Sequence, residues 1–111
     1  MNARRLALVG ALSVPLVVAV PAAAENAAKI FATSCAPCHG KTGEPTPVFA
    51  KQGVKNFTDE AWQKATPDEQ VEKTIREGKK GTMMASFDKQ FSAEEMKALV
   101  AYVRKLGAAK K

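Results

Sequence analysis

Cys35, Cys38 and His39 fall within five consecutive residues, and they are both cysteines and the only histidine of a 111-residue chain. Two thiols at this spacing beside an imidazole permit three chemistries. A redox dithiol uses the same Cys-x-x-Cys spacing but belongs to a βαβ context, which the helical patterning of this chain does not supply. A structural zinc site takes four ligands, usually cysteine or histidine, and the rest of the chain contains neither. Covalent haem attachment needs both thiols and the histidine together. The thiols add across the vinyl groups of the porphyrin, and the adjacent imidazole coordinates the iron. The cluster therefore points to haem held by Cys35 and Cys38, with His39 as an axial iron ligand. Two thioether bonds over one short turn would present the imidazole to the iron at high effective concentration.

The second axial position calls for a soft or nitrogenous side chain on a flexible approach. After the motif the chain offers Met83, Met84 and Met96, besides lysines. Met96 falls on an apolar helical stripe and reads as core filling. Met83 and Met84 lie between Gly81 and Phe87 in a stretch without apolar periodicity, so a core role does not explain them. Both are candidates on spacing alone.

These residues must be positioned by helices and long loops. Asn26 is placed to cap a first helix that carries Ile30 and Phe31 into the cysteine motif. From Gly40 to Asn56 three glycines and two prolines leave no room for a regular element. Thr58, followed by Asp59 and Glu60, starts a short helix through Trp62. Thr66-Pro67-Asp68-Glu69 reads as a capping box with proline at the first helical position, opening a helix that carries Val71 and Ile75 and stops at Gly78. Ser92-Ala93-Glu94-Glu95 is a second capping box. It opens a helix with Met96, Leu99, Val100, Val103 and Leu106 on one face, ended by Gly107. No segment alternates as a strand does. The expected fold is all-α, three to four helices with long loops wrapped around one haem.

Arg4 and Arg5, the apolar run from Leu6 to Val20 and the small residues Ala22, Ala23 and Ala24 have the order of a secretory signal peptide. Residues 1–24 are expected to be removed after Ala24, and residues 25–111 to form one domain. The apolar run falls short of the roughly 20 residues a membrane span needs, so no stable membrane insertion is expected and the protein is placed in the periplasm. Removing 24 of the 111 residues leaves 87, with 15 basic against 11 acidic side chains. No basic stripe with interleaved aromatics is present, which excludes nucleic acid as a partner. A domain of this size buries only about 60 to 65% of its unfolded surface, and small exported folds usually gain a staple such as disulfides or a cofactor, which is consistent with part of the core being supplied by something other than side chains.

Residues 26–107 resemble a class I cytochrome c, the small monohaem type. The likeness runs through "CAPCHG", "NFTDEAWQ", "IREG", the methionine loop and "FSAEEMKALVAYVRKL". Many members read methionine, proline, any residue, phenylalanine at the ligand, and Met84-Ala85-Ser86-Phe87 has that spacing with Ala85 in the proline position. The resemblance thus implies Met84 over Met83 as the second axial ligand. It also implies that the first helix crosses the last, with Phe31 meeting the Leu99 and Tyr102 region. The loop at 40–56 would cover one haem face, and a proline carbonyl, Pro47 or the nearby Pro45, would hold the other nitrogen of His39. Trp62 is either a propionate donor or a packing residue. With both axial positions filled, no substrate site remains on the iron, so the implied role is a monomeric one-electron carrier and not an enzyme. Its partners would be redox proteins with acidic docking surfaces, met by Lys41, Lys79 and Lys80. The alternatives are a gas sensor or peroxidase-like enzyme with an open sixth site, or a fixed cytochrome subunit of a membrane redox complex.

Overall fold

The structure is a computed structural model and describes residues 10–17, 19 and 21–109. Arg4, Arg5 and the start of the apolar run lie outside the described residues. Within that run Leu12, Val14, Leu16 and Val17 are exposed. Among the described residues there is no strand, and no helix is long and apolar enough to cross a membrane.

Helix α1 (Ala22–Ile30) starts at Pro21, whose carbonyl accepts from the Ala24 and Glu25 N–H groups. The expected cap, Asn26, lies inside the helix instead. The alanines ahead of it are the strongest helix formers and extend the element backward to the proline. The chain continues without a break through a π-helical stretch, Phe31–Cys35, into α2 (Ala36–His39). Ala36 N–H donates to the Phe31 carbonyl, the five-residue spacing of a π-turn. This widening falls where Pro37, lacking an N–H, would otherwise press its ring on the carbonyl four residues back. Gly40 then ends the helix at φ +81, and a Cβ there would stand 2.0 Å from the Glu44 carbonyl oxygen.

The segment from 40 to 56 is not wholly irregular, contrary to the sequence expectation. Pro47–Lys51 forms a short helix, α3, with Pro47 in its first turn. Proline's fixed φ favours that position, and no further breaker follows until Gly53. Helix α4 (Glu60–Ala65) is capped by Asp59, whose carboxylate accepts from Ala61 N–H at 3.0 Å. Thr58 instead donates from its backbone N–H and its hydroxyl to Asn56 Oδ1. Helix α5 (Asp68–Glu77) lacks the capping box expected at Thr66. Pro67 is its N-cap with extended backbone, and Thr66 belongs to the end of α4.

The second box forms as expected: Ser92 N–H donates to Glu95 Oε1 at 2.9 Å, and Glu95 N–H to Ser92 Oγ at 3.1 Å. It opens α6 (Ala93–Ala109), which runs on through Gly107. That glycine serves packing and not termination, because a Cβ there would stand 2.7 Å from Gln63 Cγ on α4. Helix α1 and the π-stretch cross α6, as the resemblance implied: the Phe31 and Tyr102 rings are 4.9 Å apart. Phe31, Phe57, Val71, Val100 and Val103 form the central cluster, and Met96 is buried at 3% exposure, the core role its stripe predicted.

Candidate haem-binding site

The turn that ends the first helix gathers three of the four expected residues. Cys35 and Cys38 are free thiols, both half-buried. Cys35 packs against the central cluster, and burial, with a smaller contribution from neighbouring Cys38, pushes its thiol up to about 11. His39 is half-buried. Burial holds its imidazole below the usual histidine range, against the opposing pull of a backbone hydrogen bond.

That bond is Nδ1–H donated to the Lys55 carbonyl at 2.9 Å. The expectation of a proline carbonyl fails for both candidates. Pro47 is the first residue of α3, so its carbonyl points along that helix, and Pro45 is buried without a bond to the histidine. Lys55 lies outside any helix, in the stretch between α3 and Phe57, where a backbone acceptor is not committed to a helix. Phe57 stacks on the imidazole, with ring centroids 4.2 Å apart and planes 15° apart. The stretch is itself tied to the turn after the motif by Phe57 N–H donating to the Gly43 carbonyl at 2.8 Å. Neither Lys55 nor Phe57 was singled out by sequence reasoning. A backbone carbonyl has no residue signature, and one phenylalanine among five carries none.

With Nδ1 occupied, Nε2 is the ring nitrogen left to meet a metal, and a neutral imidazole fixed in one tautomer is the form iron binds. Two thiols one helical turn apart, with that imidazole next to the second, are a donor set that fits haem. Among the described residues no group of three or more histidine, cysteine or acidic side chains is placed to hold another metal ion.

Met84 belongs to a different segment, the loop after α5. It lines an open cleft together with Glu77 to Thr82, whereas His39 faces Phe57 and Lys55. The loop is tightly organised: Met84 N–H donates to Thr82 Oγ1, the Thr82 hydroxyl to the Lys79 carbonyl, and Lys79 N–H to the Met84 carbonyl. Ser86 Oγ and Phe87 N–H donate to the Arg76 and Ile75 carbonyls, fastening the loop to the end of α5. Gly78, at φ +73, lets the chain turn there, since a Cβ would stand 2.7 Å from the Met84 carbonyl oxygen. Met84 is half-buried, while Met83 is 62% exposed. Trp62 packs on Phe57 at 5.1 Å between ring centroids.

Residues 22–103 match the family described as cytochrome C oxidase, cbb3-type, subunit III. The chain belongs to that family. This cytochrome c domain is 38% identical over 85 residues to the cbb3-type cytochrome c oxidase subunit FixP of Azorhizobium caulinodans, and 34% identical over 83 residues to FixP of a Bradyrhizobium species. The matches cover 77% and 75% of this chain but only 28% and 27% of those proteins. The chain thus spans just over a quarter of the length of these relatives. A solved c-type cytochrome, KustC0563, has the same fold, with a TM-score of 0.65, 38% identity, and coverage of 72% of this chain and 95% of that one. The domain is therefore an all-α class I c-type cytochrome that carries a covalently bound haem c, a one-electron centre.

Proposed function

We propose that this cytochrome c domain is a one-electron carrier between redox proteins, working in the periplasm after removal of residues 1–24. The observation that carries the reading is the turn in which Cys35, Cys38 and His39 stand together with His39 Nδ1 already engaged by the Lys55 carbonyl. Cys35 and Cys38 are the attachment thiols. His39 would hold the iron through Nε2, and its donated hydrogen bond raises its basicity. Met84 would hold it through its thioether sulfur, and the hydrogen-bonded loop from Lys79 to Phe87 would set how that sulfur is offered.

When bound, haem supplies a ferric/ferrous couple, whose potential a methionine ligand raises relative to two nitrogen ligands. If His39 and Met84 both hold the iron, no position would remain for a substrate, and the domain would act as a carrier and not as an enzyme. Cleavage after Ala24 would remove the first three residues of α1 and leave in place the buried Ala27 of that helix and the buried Phe31 that opens the π-helical stretch.

A second reading is favoured by the relatives, which are oxidase subunits: the domain delivers electrons as a fixed part of a terminal oxidase complex. Copurification separates the two. A carrier leaves the periplasm in a soluble extract, and a fixed subunit follows the membranes.

The main reading is tested by the visible and near-infrared spectrum of exported, haem-loaded protein. Thioether-shifted bands and a sulfur-to-iron charge-transfer band in the oxidised form are expected. An unmodified polypeptide mass with two free thiols would refute it. Rapid carbon monoxide uptake by the reduced protein at neutral pH would instead favour an open sixth site.

A further inference from the structure

Side chains of α4, α5 and α6 form a polar cluster that the electron-carrier reading does not use. Gln63, half-buried on α4, has every hydrogen-bonding group of its amide engaged. Its Nε2 donates to the Phe57 carbonyl at 2.7 Å and to the Val103 carbonyl at 2.9 Å, and its Oε1 accepts from Arg104 Nη1 at 2.8 Å. Two carbonyls on one side and a guanidinium on the other leave only one orientation for the amide. Arg104 is itself fixed, donating also to the Gln63 and Thr66 carbonyls and, through Nε, to Asp68 at 2.7 Å. The absence of a side chain at Gly107 makes room for this amide, since a Cβ there would fall 2.7 Å from Nε2.

We propose that Gln63, braced by Arg104, is a positioning residue for the His39 imidazole, acting through the Phe57 segment. The path is short and consists of direct contacts. Gln63 holds the Phe57 carbonyl; the Phe57 ring stacks on His39; and the Lys55 carbonyl, two residues earlier in the same segment, accepts the hydrogen bond from Nδ1–H. Gly43 fixes the Phe57 amide from the other side. The backbone that sets both the rotation of the imidazole and the strength of its hydrogen bond is therefore clamped between the turn after the motif and α4. Without the Gln63 bond, one of the two clamps is gone. The Nδ1 bond then lengthens, the imidazole becomes a weaker electron donor, and the ferrous state is favoured.

The inference rests on His39 being an iron ligand, and the experiment separates the two claims. Haem-loaded, exported protein is compared with Gln63→Met, which keeps length but no hydrogen bonds, with Phe57→Leu, and with Asp68→Asn as a control for the exposed ion pair alone. Paramagnetic NMR of the oxidised form reads the His39 ring resonances, and a redox titration reads the potential. Gln63→Met and Phe57→Leu are expected to move the hyperfine-shifted pattern, speed exchange of the Nδ1 proton and raise the potential, while Asp68→Asn changes none of these. Loss of thermal stability in Gln63→Met with ring resonances and potential unmoved would make the cluster merely structural and overturn the proposal. Should Gln63→Met not accumulate, Gly107→Ala serves, because it crowds the amide while adding helix propensity; unmoved resonances there overturn the proposal equally. A wild-type protein whose His39 resonances carry no hyperfine shift would refute the ligand assignment itself, and this inference with it.

Discussion

Met83 and Met84 are neighbours in sequence and unequal in space: the first is 62% exposed, the second half-buried and held at both its N–H and its carbonyl by its own loop. Replacing Met84 with alanine is expected to abolish the near-infrared sulfur-to-iron band and open the reduced protein to carbon monoxide, while Met83→Ala leaves both unchanged. The reverse pattern would assign the ligand to Met83. The attachment residues make a separate prediction for the chain before haem is joined, when the thiols can still ionise. Burial holds His39 in the fold below the ordinary histidine value of 6.5, so the unfolded chain takes up the proton first, and stability falls as pH drops below 6.5. Cys35 is raised from 9.0 to about 11, so the unfolded thiol ionises first, and stability present below 9 is lost as pH rises towards 11. Urea midpoints of the haem-free chain should therefore be highest between these limits and fall on both sides. A flat profile from acid to alkali would show that neither group is buried as described.

The two capping sequences behave differently, and the difference is measurable. Ser92 and Glu95 exchange hydrogen bonds at the start of α6, so Ser92→Ala should cost about 1 kcal/mol, a fall in melting temperature of about 4 to 8 °C for a domain of this size. Thr66→Ala should leave the melting temperature nearly unchanged, because its side chain caps nothing and its carbonyl bond to Arg104 survives. Equal losses from the two would remove the distinction. Helix existence was legible wherever apolar spacing reports it: the stripe from Met96 to Val103 and the inward side of α5 at Val71 are where periodicity put them, whereas the short α3, set among glycines and prolines and without an apolar stripe, was not legible. Ends were less legible. Pro67 took the cap position from Thr66, Pro21 took it from Asn26, and Gly107 makes room for Gln63 where its type suggested a stop. Each depends on a tertiary neighbour or on which of two adjacent formers prevails, and neither is written in local spacing. The site divides the same way. Cys35, Cys38 and His39 are one contiguous motif, whereas the Lys55 carbonyl reaches His39 from 16 residues away and depends on the course of a loop.

At the scale of the whole molecule, charge is expected to influence how the domain would meet a partner. The full chain carries a formal net charge of +6, and Lys41, Lys79 and Lys80 are exposed on the segments that follow the cysteine motif and precede Met84. Lys79 and Lys80 also line the Met84 cleft. A positive rim at the two segments proposed to hold the iron would orient an acidic partner so that electrons enter or leave close to the cofactor, raising the encounter rate more than the affinity. Such steering acts over distance and is screened: between about 10 and 200 mM salt the Debye length falls from roughly 30 Å to below about 8 Å. Second-order electron-transfer rates with an acidic redox protein should therefore fall steeply over that range. Lys79→Glu and Lys80→Glu should flatten the dependence, while Lys97→Glu, on an exposed side of α6, should change it only through net charge. The lysine rim has no steering role if the rate is independent of salt, or if all three substitutions act alike.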